Sequence, residues 1–222
     1  MRQRSPESLL IVSPCSATKA NGNQRALWGP ESADLSDSSS GELIPARQLY
    51  QGAHHKSVIA SIDRLRGNFC YSRIEVMIVS AGYGLVAEWD EIPKYDVSFD
   101  QMSKQDSIDL ARKLEIRSQL SKTLKEYKYV LFLLSSKYLS AVEAPFGIAE
   151  KEIYLASGTF KSDMDNVSIA KAGVAEAKLL GVAPRMAKAE MFKRFSDLAM
   201  VDGILPALTA LESGSLIKAS QR

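Results

Sequence analysis

The sequence predicts an α/β protein with a mainly parallel central sheet, flanking helices and a helical, basic C-terminal part. Three observations carry that expectation. Short apolar, β-branched or aromatic runs recur along the chain, as strands buried on both faces require. Stretches with apolar residues at helical spacing separate them. Strands alternating with helices of this length form right-handed βαβ units. The 222 residues suffice for one domain with its own core, read as an α/β core over 8–157 followed by a helical part over 158–222.

The first strand is Leu9 to Val12. Residues 21–41 interrupt the pattern with Trp28-Gly29-Pro30 and a polar, acidic, serine-rich stretch without periodicity, which reads as a loop or lid. Ile44-Pro45-Ala46-Arg47 places proline in the first turn of a helix, continued by Val58, Ile62 and Leu65 and ending near Gly67. A second strand follows at Ile74 to Val79. Ser103 is an N-cap candidate for a second crossover helix, in which Leu110, Leu114, Leu120 and Leu124 keep largely helical spacing up to Tyr127. Tyr129 to Leu134 and Glu152 to Ala156 read as strands three and four. Beyond Gly158 the chain reads as helical, with Gly181 and Pro184 separating an alanine-rich helix from Ala187 to Ala199, and Ile204 to Leu211 last.

Lysine and arginine number 28 against 26 acidic residues, so bulk charge alone does not mark a nucleic-acid binder and any basic surface is local. No apolar run approaches the roughly 18 residues of a membrane span. Two cysteines, Cys15 and Cys70, make neither a disulfide framework nor a zinc site, which fits a cytoplasmic protein; Cys70 is expected in the core. With no Gly-x-Gly-x-x-Gly after a strand and no Walker lysine, no nucleotide cofactor is expected, nor a metal.

In open parallel sheets ligands bind beyond the carboxyl ends of the strands. Those ends read Ser13-Pro14-Cys15-Ser16-Ala17-Thr18-Lys19, Ser80-Ala81-Gly82-Tyr83-Gly84-Leu85 and Ser135-Ser136-Lys137-Tyr138. Small residues let backbone amides approach a ligand, hydroxyls donate or accept, and Lys19 is a cation, base or nucleophile if its pKa is lowered. Glu88-Trp89-Asp90-Glu91-Ile92-Pro93-Lys94-Tyr95-Asp96 adds carboxylates beside aromatic rings, with Asp90 and Asp96 as candidates for acid/base work and Tyr95 as positioner. His54 and His55 are helix neighbours about 100° apart, which does not suit chelation of one ion. Between Lys171 and Arg194 six basic residues face two acidic ones, a stripe suited to phosphates; Lys178, Arg185, Lys188, Lys193 and Arg194, with Arg47, are the candidate DNA contacts.

The strand-one motif, Ile44-Pro45-Ala46-Arg47-Gln48-Leu49-Tyr50-Gln51-Gly52, and Ile78-Val79-Ser80-Ala81-Gly82-Tyr83-Gly84-Leu85 followed by Asp90 and Tyr95-Asp96 together resemble the YaaA-like superfamily over about residues 8–140. Pro14-Cys15-Ser16 with Lys19 is also similar to the catalytic motif of archaeosine synthases, with Ala20-Asn21 where that motif has Pro-Tyr. These resemblances imply DNA or modified bases as partner. With the strand-end residues they give a base pocket of Ser13, Cys15, Ser16, Ser80, Gly82, Tyr83, Gly84, Tyr95, Ser135 and Ser136. The expected activity is a DNA N-glycosylase that flips out a modified base and leaves an abasic site, in a setting such as anti-phage defence, with Asp90, Asp96 or Lys19 catalytic. The alternatives are a non-catalytic DNA-binding stress protein and a base-modifying enzyme of archaeosine-synthase type, in which Lys19 matters most.

Overall fold

The computed structural model describes residues 7–20, 43–69 and 72–218; the insertion at 21–41 and Cys70 lie outside them. In chain order the elements are β1 (Ser8–Pro14), β2 (Leu43–Pro45), α1 (Ala46–Leu49), α2 (Ala53–Asn68), β3 (Arg73–Ser80), β4 (Gly84–Ala87), β5 (Glu91–Pro93), α3 (Lys104–Lys113), α4 (Ile116–Leu124), β6 (Tyr129–Phe132), α5 (Ser136–Ala141), β7 (Lys151–Ala156), β8 (Val167–Lys171), α6 (Val174–Leu180), α7 (Ala187–Asp202), α8 (Ile204–Ser213) and α9 (Ser215–Lys218). Turns of 3-10 helix lie at Phe99–Gln101 and Pro184–Met186.

The mostly parallel central sheet expected from the sequence is present, six strands wide in the order β4-β3-β1-β6-β7-β8. All neighbours are parallel except β3 and β4. Leu9, Leu10, Ile11 and Val12 are fully buried because β1 lies mid-sheet and is covered on both faces. β4 covers Met77 to Ser80 of β3 only, and the turn into it passes through Gly84 at φ +78°, a conformation that favours glycine. β2 and β5 form a separate two-stranded ribbon. Right-handed connections place α2 on one face and α3, α4 and α5 on the other. α7 packs on α2 and α8 on α7, while α3 packs on α5.

The four expected strands are all present, each within two residues of its expected ends. The first crossover helix is broken at Tyr50–Gly52, where the chain goes extended before α2 begins. The second divides at Glu115, whose φ of 52° is left-handed; Ser103 does cap α3, its side chain accepting from the Asp106 amide. The all-helical reading of 158–222 needs correction, because Val167–Lys171 is β8, parallel to β7. So short an apolar run carries no period that separates strand from helix. Four helices and the Pro184–Met186 turn follow it, as expected for the C-terminal part.

The parallel strands, numbered along the chain, lie in the order second, first, third, fourth, fifth. This is a doubly wound order whose direction reverses at β1, leaving a crevice beyond the carboxyl ends of β1 and β6. At the opposite end of the sheet, fully buried Glu152 accepts hydrogen bonds from the amides of Gly147, Ile148 and Ala149 at 2.6–3.1 Å and from the Tyr154 hydroxyl at 2.7 Å. A buried carboxylate so satisfied holds the loop before β7 and is structural. Among the described residues no helix is long and apolar enough to cross a membrane.

Candidate functional site

A cavity of about 600 Å³ opens at the crevice between β1 and β6. Pro14, Cys15, Ser16, Ala17 and Thr18 line it from the end of β1, and Leu133, Ser135 and Ser136 from the end of β6. Gly52, Ala53, His54 and His55 come from the start of α2, Asp100 from the first 3-10 turn, Pro184, Arg185 and Met186 from the second 3-10 turn, and Lys188 from the start of α7. Of the expected pocket residues, Cys15, Ser16, Ser135 and Ser136 therefore meet here.

Their local bonds explain their placement. The Cys15 amide continues the sheet by donating to Val79 O at 3.0 Å, and its sulfur lies 3.1 Å from the Tyr138 hydroxyl. Ser16 Oγ accepts from the Thr18 amide at 3.2 Å, closing the turn after the strand. Gly52 packs closely beside it: a Cβ there would lie 2.2 Å from Ser16 Oγ and would displace that hydroxyl. Ser135 caps α5, and the Ser136 and Ser157 hydroxyls are 3.0 Å apart.

His54, His55, Lys188 and Asp100 of the cavity are shifted chiefly by burial. His54 and His55 are both lowered to about 4, so they are neutral at pH 7. His55 Nε2 donates to Arg47 O at 3.1 Å. The same loss of water lowers Lys188 to about 8. It raises Asp100 against the opposing charge of Lys137. Lys137 Nζ donates to the carbonyls of Asp100 and Met102 at 3.0 and 2.8 Å, fixing the 3-10 turn against α5.

Ser80, Gly82, Tyr83, Gly84 and Tyr95, also expected in the base pocket, do not line this cavity. They form a second cluster at the end of β3. The Tyr95 hydroxyl is 2.7 Å from both Tyr50 Oη and Ser80 Oγ, and Ser80 Oγ accepts from the amides of Gly82 and Tyr83. Tyr83 meets Tyr95 edge to face at 5.1 Å. Burial raises the pKa of Tyr50, Tyr83 and Tyr95, so all three stay neutral donors. A Cβ on Gly82 would lie 2.6 Å from Tyr95 Cδ2. Gly82→Ala is thus expected to push Tyr95 off its two hydroxyl partners and cost about 1–3 kcal/mol. Urea unfolding of the variant checks this, and unchanged stability would show that the ring yields freely.

Lys19 belongs to the second cluster and is buried outside the cavity. Its Nζ lies 4.3 Å from the Tyr95 ring centroid and donates to Val97 O at 3.2 Å. Burial lowers its pKa, while Cys15 and Asp96 act to raise it. Asp96 is exposed beside it, and exposed Asp90 accepts from the Ala87 amide at 2.7 Å to close its own turn. Neither carboxylate reaches the cavity. Ser13 is fully buried, and its hydroxyl lacks a partner among the described residues.

The expected basic stripe also divides. Arg185 and Lys188 line the cavity, whereas Lys178 and Lys193 are exposed outside it. Arg194 pairs with Glu190 at 3.1 Å and donates to Leu216 O. Arg47 is held by Asp63 and Glu88 at 2.7 and 3.2 Å, lies over Trp89 and does not line the cavity. The sequence reading missed Asp100, because Ser98-Phe99-Asp100-Gln101 has no motif spacing; Ser98 capping the turn was its only local signal. Among the described residues no group of three or more His, Cys, Asp or Glu side chains is placed to hold a metal ion.

Fold and site together define a doubly wound α/β protein with a cavity at its topological switch point. Residues 36–160, more than half of the chain, match a family of unknown function, DUF6884, and the chain belongs to that family. The match runs from before β2 to beyond β7 and so includes His54, Asp100 and Ser135. No curated protein and no solved structure is significantly similar to the chain.

Proposed function

We propose that this chain is a base-processing enzyme of DNA, an N-glycosidase that takes a flipped-out nucleotide into the switch-point cavity and hydrolyses its N-glycosyl bond. The observation that supports this most is the joining, in one cavity of about 600 Å³, of a single lining carboxylate, Asp100, with a hydroxyl-bearing wall and the cations Arg185 and Lys188. That volume suits a nucleotide. Pro14, Ala17, Leu133 and Met186 offer apolar surface to a base, and Ser16, Ser135 and Ser136 offer hydroxyls to its substituents. The resemblance of the strand-end motifs to the YaaA-like superfamily favours DNA as the polymer.

In the reaction the C1′–N bond breaks and its electron pair leaves with the base. Asp100 faces the positive charge that develops on the sugar and takes a proton from the attacking water. The water oxygen bonds to C1′, and the proton finishes on the departed base. Asp100 replaces Asp90 and Asp96 in this role, since neither of them lines the cavity. Lys19, with Nζ engaged by Val97 O, is a poor candidate for attack on the sugar.

The test is incubation of the protein with genomic DNA from ordinary bacteria and from phages carrying hypermodified bases, followed by alkaline cleavage and mass spectrometry of released bases. A released base with alkali-labile sites is the expected result. DNA binding without release would overturn the glycosidase reading. A borohydride-trapped protein–DNA adduct would transfer the chemistry to Lys19.

A further inference from the structure

We infer that the part of the cavity formed by Arg185, Lys188 and the first turn of α2 is a phosphate subsite, which holds the phosphate of the nucleotide whose base occupies the rest. This rests on the nucleotide reading above and deepens it.

Four observations converge. Among the described residues Arg185 and Lys188 have no carboxylate partner, whereas Arg47, Arg66, Arg73 and Arg112 each have one. A guanidinium and an ammonium beside an uncovered cavity are the usual means of holding phosphate oxygens. Next, α2 is 16 residues long and is preceded by Gly52, which gives no side-chain cap, and Gly52, Ala53 and His54 line the cavity. The first-turn amides of such a helix, with its dipole, favour an anion there. Third, Ser16 Oγ accepts from the Thr18 amide, which leaves its hydroxyl hydrogen to donate to a ligand.

The fourth is independent of charge. His55 is 2% exposed and also lines the cavity. Because its Nε2 donates to Arg47 O, Nδ1 is an acceptor, and it has no donor among the described residues. An unmatched buried acceptor beside an anion site calls for a ligand that carries a donor close to its phosphate, as the sugar hydroxyl of a free or strand-terminal nucleotide does, whereas an internal deoxynucleotide has none. The lowered pKa of Lys188 agrees, since its ammonium has lost water without gaining an anion.

The phosphate belongs either to a free mononucleotide or to a strand, and one experiment separates the two. Calorimetric titration of the full chain with thymidine 5′-monophosphate, thymidine and inorganic phosphate is run beside filter binding of a single-stranded oligonucleotide at fixed ionic strength. The proteins are wild type, Arg185→Gln, Lys188→Gln and the exposed α4 control Lys122→Gln, with circular dichroism to confirm folding. The monophosphate and inorganic phosphate are expected to bind, and thymidine to bind at least tenfold more weakly than its monophosphate. Each cavity variant is expected to lower monophosphate affinity on the order of 10- to 100-fold, and the control to leave it unchanged. Oligonucleotide affinity falling with the same variants assigns the phosphate to a strand; a fall confined to the monophosphate assigns it to a free nucleotide. Equal affinity for nucleoside and nucleotide, no measurable phosphate binding, or insensitivity to both variants overturns the subsite. Phosphate binding without base release would sink the glycosidase and keep the subsite. Base release with unaltered KM in both variants would do the reverse.

Discussion

Asp100→Asn is expected to cut base release by a factor on the order of 10² to 10⁴ while leaving DNA affinity within about twofold. The substitution keeps the shape of the side chain and removes its ability to carry negative charge or take a proton. The backbone beneath it is held independently. Phe99 is fully buried, Ser98 caps the turn and Lys137 bonds the carbonyls of Asp100 and Met102, so the asparagine should stand where the aspartate stood. Burial raises the Asp100 pKa, which makes the carboxylate a stronger base than one in water. As a base it works once ionised, so activity should climb as pH rises through that raised pKa. Asp90→Asn, by contrast, disturbs only its own turn and should leave turnover unchanged. Single-turnover base release for the two variants decides the matter, and full activity in Asp100→Asn would remove the carboxylate from the mechanism.

Acid should destabilise the fold well before the carboxylates titrate. His54 and His55 titrate at about 4 in the folded chain and at 6.5 when free of it. The unfolded chain therefore takes up protons first as pH falls, and stability present above 6.5 is lost progressively towards 4. For fully buried His55 the loss is about 3 kcal/mol, and for partly exposed His54 it is less. Urea unfolding at pH 7 and at pH 4.5 should show the difference. His55→Gln, whatever its cost at neutral pH, should shrink the gap between the two conditions by about that amount. A variant with the same gap as wild type would mean that His55 finds a partner on protonation.

The strands most easily read from the sequence are those with a buried apolar run, because burial forces consecutive apolar residues along the middle of β1, β3, β6 and β7. β8 lies at an edge and alternates, so Val167-Ser168-Ile169-Ala170-Lys171 carries too little hydrophobic signal to stand apart from the helices around it. The break at Glu115 was illegible for another reason: its left-handed backbone is adopted by a residue that gives no sign of it. At the site, Cys15, Ser16, Ser135 and Ser136 could be found because a strand end is a local feature. Asp90 and Asp96 also follow a strand end, yet neither lines the cavity, which sequence proximity does not reveal. Asp100, Lys188 and His54 meet through the packing of three separate elements, and no spacing along one chain expresses that.

The partial cover that β4 gives β3 bears on how this molecule behaves in a crowd. Arg73 to Val76 lack a neighbour on that side among the described strands, and such a row of unpaired amides and carbonyls is a template on which a foreign chain can add a strand. The stretch is guarded by charge. Arg73 is exposed, bonded to Glu75 at 2.7 Å and to Glu126 at 3.1 Å, and an incoming strand would have to strip water from all three. The sheet thus ends there by the cost of dehydrating charge rather than by closure, and neutralising that small ionic fence would remove a barrier to edge-to-edge association.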